Sequence, residues 1–307
     1  MILNIFFIVI GIVLVLWGAD RLTDGAVAVA EKMKMPQIVI GLTIVAMGTS
    51  MPEFCVSLIS ALKGTSDLAV GNIVGSNIFN TLLIVGVSAL VAPMSIMKTT
   101  VRKDIPFALV ASALLLIMCL DGDISRIDAA ILFVMFLIFM YITLRGAKMQ
   151  GTDVEEKEKK SMATWLSVVW ILVGLACLIG GSNLFVDGAT AVATKLGVSE
   201  AVIGLTIVAG GTSLPELATS VVSARKGNSG IAIGNVLGSN VFNILAILGL
   251  TGVISPMTLK GITMTDLSMM VISIILIWLF SFTKYKIERW EGAILTAVFV
   301  GYIYSLL

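Results

Sequence analysis

Apolar runs of about 20 residues recur from one end of the chain to the other, separated by short polar stretches. Each run is long enough to cross the hydrocarbon core of a bilayer as a helix. About ten such spans are predicted, near 3–30, 37–62, 68–92, 104–120, 127–147, 163–195, 200–224, 230–255, 264–283 and 289–306. The first and sixth are the longest. No positive residue precedes the first run, which also exceeds the apolar core of a typical secretory signal, so it reads as retained. The only polar linker, 148–162 ("KMQGTDVEEKEKKSM"), mixes both signs of charge and reads as a solvated turn.

Two runs carry residues that a spanning helix should avoid: "GTSMPEF" at 48–54 and "GTSLPEL" at 211–217 put a Pro and a Glu near mid-span. Sliding the sequence on itself by 163 positions aligns 18–94 with 181–257 without a gap. "GLTIVAMGTSMPE" at 41–53 then meets "GLTIVAGGTSLPE", with two differences, and "GNIVGSNIFN" at 71–80 meets "GNVLGSNVFN" at 234–243. The chain is a duplication. Each copy holds about five spans, an odd number, so the second copy enters the membrane from the opposite face. The predicted architecture is an all-α polytopic membrane protein of two inverted five-helix repeats, 1–147 and 163–307, joined by the linker 148–162. Broken helices are expected in the second and third span of each repeat.

Composition agrees: 58% of residues are hydrophobic and 13% charged, far from a soluble domain. With the amino terminus outside, fifteen Lys and Arg fall on inward connections, and only Lys63, Arg126, Lys195 and Lys260 face out. That bias predicts a multi-pass plasma-membrane protein with both termini extracytoplasmic. Arg21, between Asp20 and Asp24, is expected to form a local ion pair. Cys55, Cys119 and Cys177 fall within spans as small apolar fillers, with no disulfide or zinc framework. The absence of His excludes HExxH chemistry and His relays, and the absence of a Gly-Lys dipeptide excludes a Walker A loop. With no Ser-His pair or matched catalytic Asp pair in the central motifs, the chain is expected not to be an enzyme and to use no cofactor. Ions and membrane lipid are the expected partners, with no nucleic acid and no obligatory protein partner.

Glu53 lies about three residues, or roughly 4.5 Å of helical rise, from the middle of its span. A carboxylate at that depth costs about 2.5–3.5 kcal/mol and marks a functional site by default. Gly48 and Pro52 should break the helical ladder near 48–51, and Ser50-x-x-Glu53 reads as a capping box for the restarted helix. The break would turn oxygens of Gly48, Thr49 and Ser50 toward Glu53, a donor set suited to hard cations such as Na⁺ and Ca²⁺. Glu216 repeats the arrangement. Asn72, Ser76 and Asn80, spaced by four, share a helical face, as do Asn235, Ser239 and Asn243. Simpler readings stand beside these: the glutamates as caps of half-helices, Asn72 and Asn235 as interhelical glue, Asp24 and Asp187 as partnered or solvated acids. "DGDISRID" at 121–128 starts like a calcium loop but has Arg126 where Gly is needed and Leu132 where Glu is needed, so it is rejected.

Paired in this way, "GTSMPE" with "GNIVGSNIFN" and "GTSLPE" with "GNVLGSNVFN" resemble the two alpha-repeats of the sodium/calcium exchanger family, within the cation/calcium exchanger superfamily. The resemblance covers nearly the whole chain. It implies a secondary antiporter exchanging sodium for calcium by alternating access, the alternative being a proton-coupled cation exchanger. Carried over, it implies Ca²⁺ binding by Glu53 and Glu216 with backbone oxygens of Thr49 and Thr212. Sodium positions would use Ala46, Ser50 and Ser76 in one half and Ala209, Ser213 and Ser239 in the other, with Asn80 and Asn243 completing the centre. Well-studied members carry Asp where Asn243 stands, which leaves the number of ions per cycle and any potassium dependence open.

Overall fold

The computed structural model describes residues 2–150, 162–197 and 209–306. Its helices are α1 (Ile2–Lys32), α2 (Gln37–Thr49), α3 (Met51–Leu62), α4 (Ser66–Val91), α5 (Thr100–Asp121) and α6 (Arg126–Gln150). After the linker come α7 (Thr164–Lys195), α8 (Ala209–Thr212), α9 (Leu214–Arg225), α10 (Ser229–Ile254), α11 (Met264–Ser281) and α12 (Arg289–Leu306). Among the described residues seven helices are long and apolar enough to cross a membrane, and eight if the bent pair α2–α3 is one span. Residues 151–161 of the expected linker and 200–208 of the expected seventh span lie outside the described residues.

The long helices α1 and α7 form an antiparallel pair joined by glycine. Gly11, Gly18 and Gly25 recur every seven residues on α1, and Gly174, Gly181 and Gly188 do so on α7. A Cβ at Gly11 would sit 2.7 Å from the Gly181 carbonyl oxygen, and one at Gly18 would sit 2.8 Å from that of Gly174. Only a hydrogen fits between the two backbones, so the glycine stripes set how closely the helices approach. α1 then leans on α9, and α7 touches α8 and α2.

The remaining helices make the core, with α10 packed on α2 and α9, α4 on α3 and α12, α5 on α11, and α6 on α10. Two antiparallel clasps of two residues each tie the halves together. Met94 and Ser95 pair with Ile287 and Lys286, while Ile124 and Asp123 pair with Met257 and Thr258. Shifting every residue by 163 converts one clasp into the other.

The expected break in the second span is present. Ser50 (φ −83°, ψ 10°) interrupts the ladder and bends the span by 48°. Ser213 (φ −90°, ψ 6°) interrupts the corresponding span at the matching position. Each break sits two residues before a proline, which tolerates the first turn of the helix that follows. The third span differs from expectation: α4 and α10 run unbroken. Neither contains a proline, so no backbone donor is missing; each instead passes through a π-helical stretch, at Phe79–Ile84 and Phe242–Leu248.

Candidate cation site

The two breaks face each other across the centre. The Ser50 hydroxyl donates to Glu216 Oε1 at 2.8 Å, and the Ser213 hydroxyl donates to Glu53 Oε1 at 3.0 Å. Each acid is therefore held by the serine three residues before the other acid. This corrects the expected capping box: neither serine caps its own helix through its side chain, because its hydroxyl is used by the opposite repeat. Ser50 and Ser213 still open the restarted helices with their carbonyls, which accept from Phe54 N at 3.1 Å and Leu217 N at 3.0 Å. The Ser50 carbonyl is thus engaged rather than freed. Gly48 stands four residues before Pro52, which has no N–H to give its carbonyl.

Ser76 and Ser239, one on each third span, donate to the same Glu53 and Glu216 oxygens at 3.5 Å, and Ser213 lies 3.2 Å from Ser76. Below them is an amide layer. Asn80 Nδ2 donates to Asn240 Oδ1 at 3.2 Å, and Asn243 Nδ2 donates to Asn77 Oδ1 at 3.1 Å. Sequence reasoning missed Asn77 and Asn240, although "SNIFN" and "SNVFN" put each asparagine three residues, less than one turn, before Asn80 or Asn243.

Four side-chain oxygens in this centre are buried and have no hydrogen-bond partner among the described residues: Glu53 Oε2, Glu216 Oε2, Asn80 Oδ1 and Asn243 Oδ1. Glu53 and Glu216 are each 1% exposed. A buried oxygen left unpaired costs about 1–3 kcal/mol, more when it is charged. No Lys or Arg among the described residues forms an ion pair with either acid. Nor do the described residues hold any cluster of three or more His, Cys, Asp or Glu, so a cation here must draw on hydroxyl, amide and carbonyl oxygens beside the two carboxylates. That donor chemistry fits a hard cation.

The other expected residues divide. Thr49 is buried and its hydroxyl reaches the Ala46 carbonyl (3.3 Å) and Asn235 Oδ1 (3.0 Å). The Ala46 carbonyl also accepts from Ser50 N at 3.0 Å, so an ion ligated there must share an oxygen already in use. Thr212 ends α8, which Ala209 begins. Asn72 and Asn235 act as braces: their Nδ2 atoms donate to the backbone carbonyls of Glu53 and Glu216 at 3.2 Å, and to Ser57 and Ser220 at 3.0 Å. Asp24 is a partnered acid, bonded by Lys226 at 2.7 Å and Arg21 at 3.8 Å. The local Asp20–Arg21 ion pair is present at 2.5 Å.

The family profile described as "Sodium/calcium exchanger protein" matches residues 3–145 and again 166–307. The inner membrane protein YrbG of Escherichia coli is 36% identical over 100% of this chain and 97% of its own. The sodium/calcium exchanger MaX1 of Methanosarcina acetivorans is 32% identical, covering 99% of this chain and 98% of its own. A structure of the sodium-calcium exchanger NCX_Mj soaked with Na⁺ and Ca²⁺ superposes with a TM-score of 0.88 at 31% identity, over 100% of this chain and 99% of that one.

Proposed function

The chain belongs to the sodium/calcium exchanger family, a family of cation/Ca²⁺ antiporters and not of enzymes, and from that premise we propose that it exchanges Na⁺ for Ca²⁺ by alternating access. The observation that carries this reading is a set of four buried oxygens, two from each repeat, that have no partner among the described residues, around a pair of acids with no basic counterpart among them. Ca²⁺ is bound by the Glu53 and Glu216 carboxylates with the carbonyls of Thr49 and Thr212 and the amide oxygens of Asn80 and Asn243. A hydroxyl has one donor and two acceptor sites. Ser50, Ser213, Ser76 and Ser239 give their protons to the glutamates, and their lone pairs remain for Na⁺, with the Ala46 and Ala209 carbonyls beside them.

The chemistry of exchange follows from charge. Two ionised glutamates give a site near minus two, which one Ca²⁺ or two Na⁺ neutralise. Carrying that charge uncompensated through a dry intermediate is prohibitive, so the loaded protein switches and the unloaded one does not. The α1–α7 pair slides against the core to open one side and then the other. Ten spans in two inverted repeats, with both termini outside the plasma membrane, follow from the repeat and the Lys and Arg bias.

The test is ⁴⁵Ca²⁺ uptake into sodium-loaded proteoliposomes. Uptake should follow the outward sodium gradient and stop when an ionophore collapses it. Uptake indifferent to sodium but driven by a pH gradient would reject sodium coupling in favour of protons.

A further inference from the structure

Where α1 meets the end of α9, four charged groups lie together at the opposite end of α9 from Glu216. Lys226, which closes α9, bonds Asp20 Oδ1 at 2.6 Å and Asp24 Oδ1 at 2.7 Å, and also reaches the Asp20 carbonyl at 3.2 Å. Arg21 completes the charge balance against the same two acids and stacks over Trp17 (5.9 Å) and Trp170 (5.2 Å), the second of which is on α7. The acids therefore belong to the sliding pair and Lys226 to the core. Thr23, directly before Asp24, and Ser223, three residues before Lys226, meet by their hydroxyls at 3.0 Å across the same interface.

The shift of 163 that maps the serine–glutamate bonds and the Asn80–Asn240 bond of the centre onto their counterparts fails here. It takes Lys226 to Lys63 and Asp24 to Asp187, but it takes Asp20 to Asn183, Arg21 to Leu184 and Trp17 to Gly180. Lys63, Asn183 and Asp187 are all exposed. In a transporter made of inverted repeats, the opposite state gives the second repeat the arrangement the first has now.

We propose that Lys226 with Asp20 and Asp24 is a latch that holds the α1–α7 pair in its present position, and that Lys63 with Asp187 is its weaker counterpart in the opposite state. The extra acid at Asp20 biases the resting equilibrium toward the present arrangement. This rests on the antiporter reading, and it adds what that reading lacks: a determinant of how differently the two faces bind calcium.

The signs of four variants test it. Lys226→Gln weakens the present latch and Asn183→Asp strengthens the opposing one, so both should shift the ratio of half-saturating Ca²⁺ at the two faces the same way, by about two- to fivefold. Asp187→Asn should shift it the other way, and Lys226→Arg should restore it. The ratio is read from ⁴⁵Ca²⁺ exchange in vesicles of sorted sidedness. Spin labels at exposed Leu3 on α1 and Leu62 on α3 report the position of the pair without any transport, and their minor distance population should grow in Lys226→Gln and Asn183→Asp. Unchanged ratios and distances, or opposite shifts for Lys226→Gln and Asn183→Asp, overturn the latch. No sodium-driven uptake in the wild type, with these distance shifts still seen in Lys226→Gln and Asn183→Asp, overturns the sodium reading and leaves the latch standing.

Discussion

The glutamate centre and the Lys226 cluster obey different symmetry. At the centre, Ser50 to Glu216 and Ser213 to Glu53 are the same bond with the repeats exchanged, and so are Asn80 to Asn240 and Asn243 to Asn77. At the ends of α1 and α7, only one lysine and one aspartate of each set survive the exchange. A site that must be presented to both sides gains from equal halves. A preference for one side needs unequal ones, and the inequality is kept where it does not touch the ligating oxygens.

The largest test of central equality is Glu53→Gln against Glu216→Gln. Each removes one of two charges and should lower calcium transport by about a hundredfold or more, to the same extent. A gap above about tenfold between them would break the comparison. Next come Ser50→Ala and Ser213→Ala, which each delete a bond to a charged oxygen worth about 1.5–3 kcal/mol. Initial uptake at a fixed sodium gradient should fall about ten- to a hundredfold in both. Gly18→Ala and Gly181→Ala test the shared seam: a methyl at 2.8 Å from a backbone oxygen forces the helices apart and should cost about 1–3 kcal/mol, read as a lower melting temperature in detergent.

The smallest effect sharpens the comparison where the centre itself is unequal. Thr81 accepts from Asn240 Nδ2 at 2.7 Å, but the matching residue is Ile244, and Asn77 donates instead to the Asn240 carbonyl at 3.4 Å. Thr81→Val should cost about 1 kcal/mol in unfolding free energy, while Ile244→Val stays near the usual Ile-to-Val range of about 0.5–1.5 kcal/mol without altering ion affinity. An affinity change in Ile244→Val would mean that the inequality reaches the ions.

Much of this was legible in the chain. The helix boundaries follow the apolar runs closely, from Ile2–Lys32 to Arg289–Leu306, because the hydrocarbon length and the cost of unpaired backbone leave few alternatives. The breaks at Ser50 and Ser213 follow from Pro52 and Pro215. The break expected in the third spans was not found, since asparagine and glycine alone do not remove a backbone donor. A turn widened by one residue is the milder response.

By itself, then, the sequence determined which segments form the long apolar helices, that its central motifs recur, where the helix before each glutamate breaks, and which oxygens are available. Those properties depend on hydrophobicity, on proline and on neighbours within a turn or two. Only the tertiary structure decided that Ser50 serves Glu216 and not its own helix, that Asn72 and Asn235 brace the backbone carbonyls behind the acids, and that Lys226 reaches across to α1. The first and last of these pairs lie 166 and 206 residues apart, and the braces span 19. No local pattern specifies such partners; they are chosen when helices distant in the chain pack against one another.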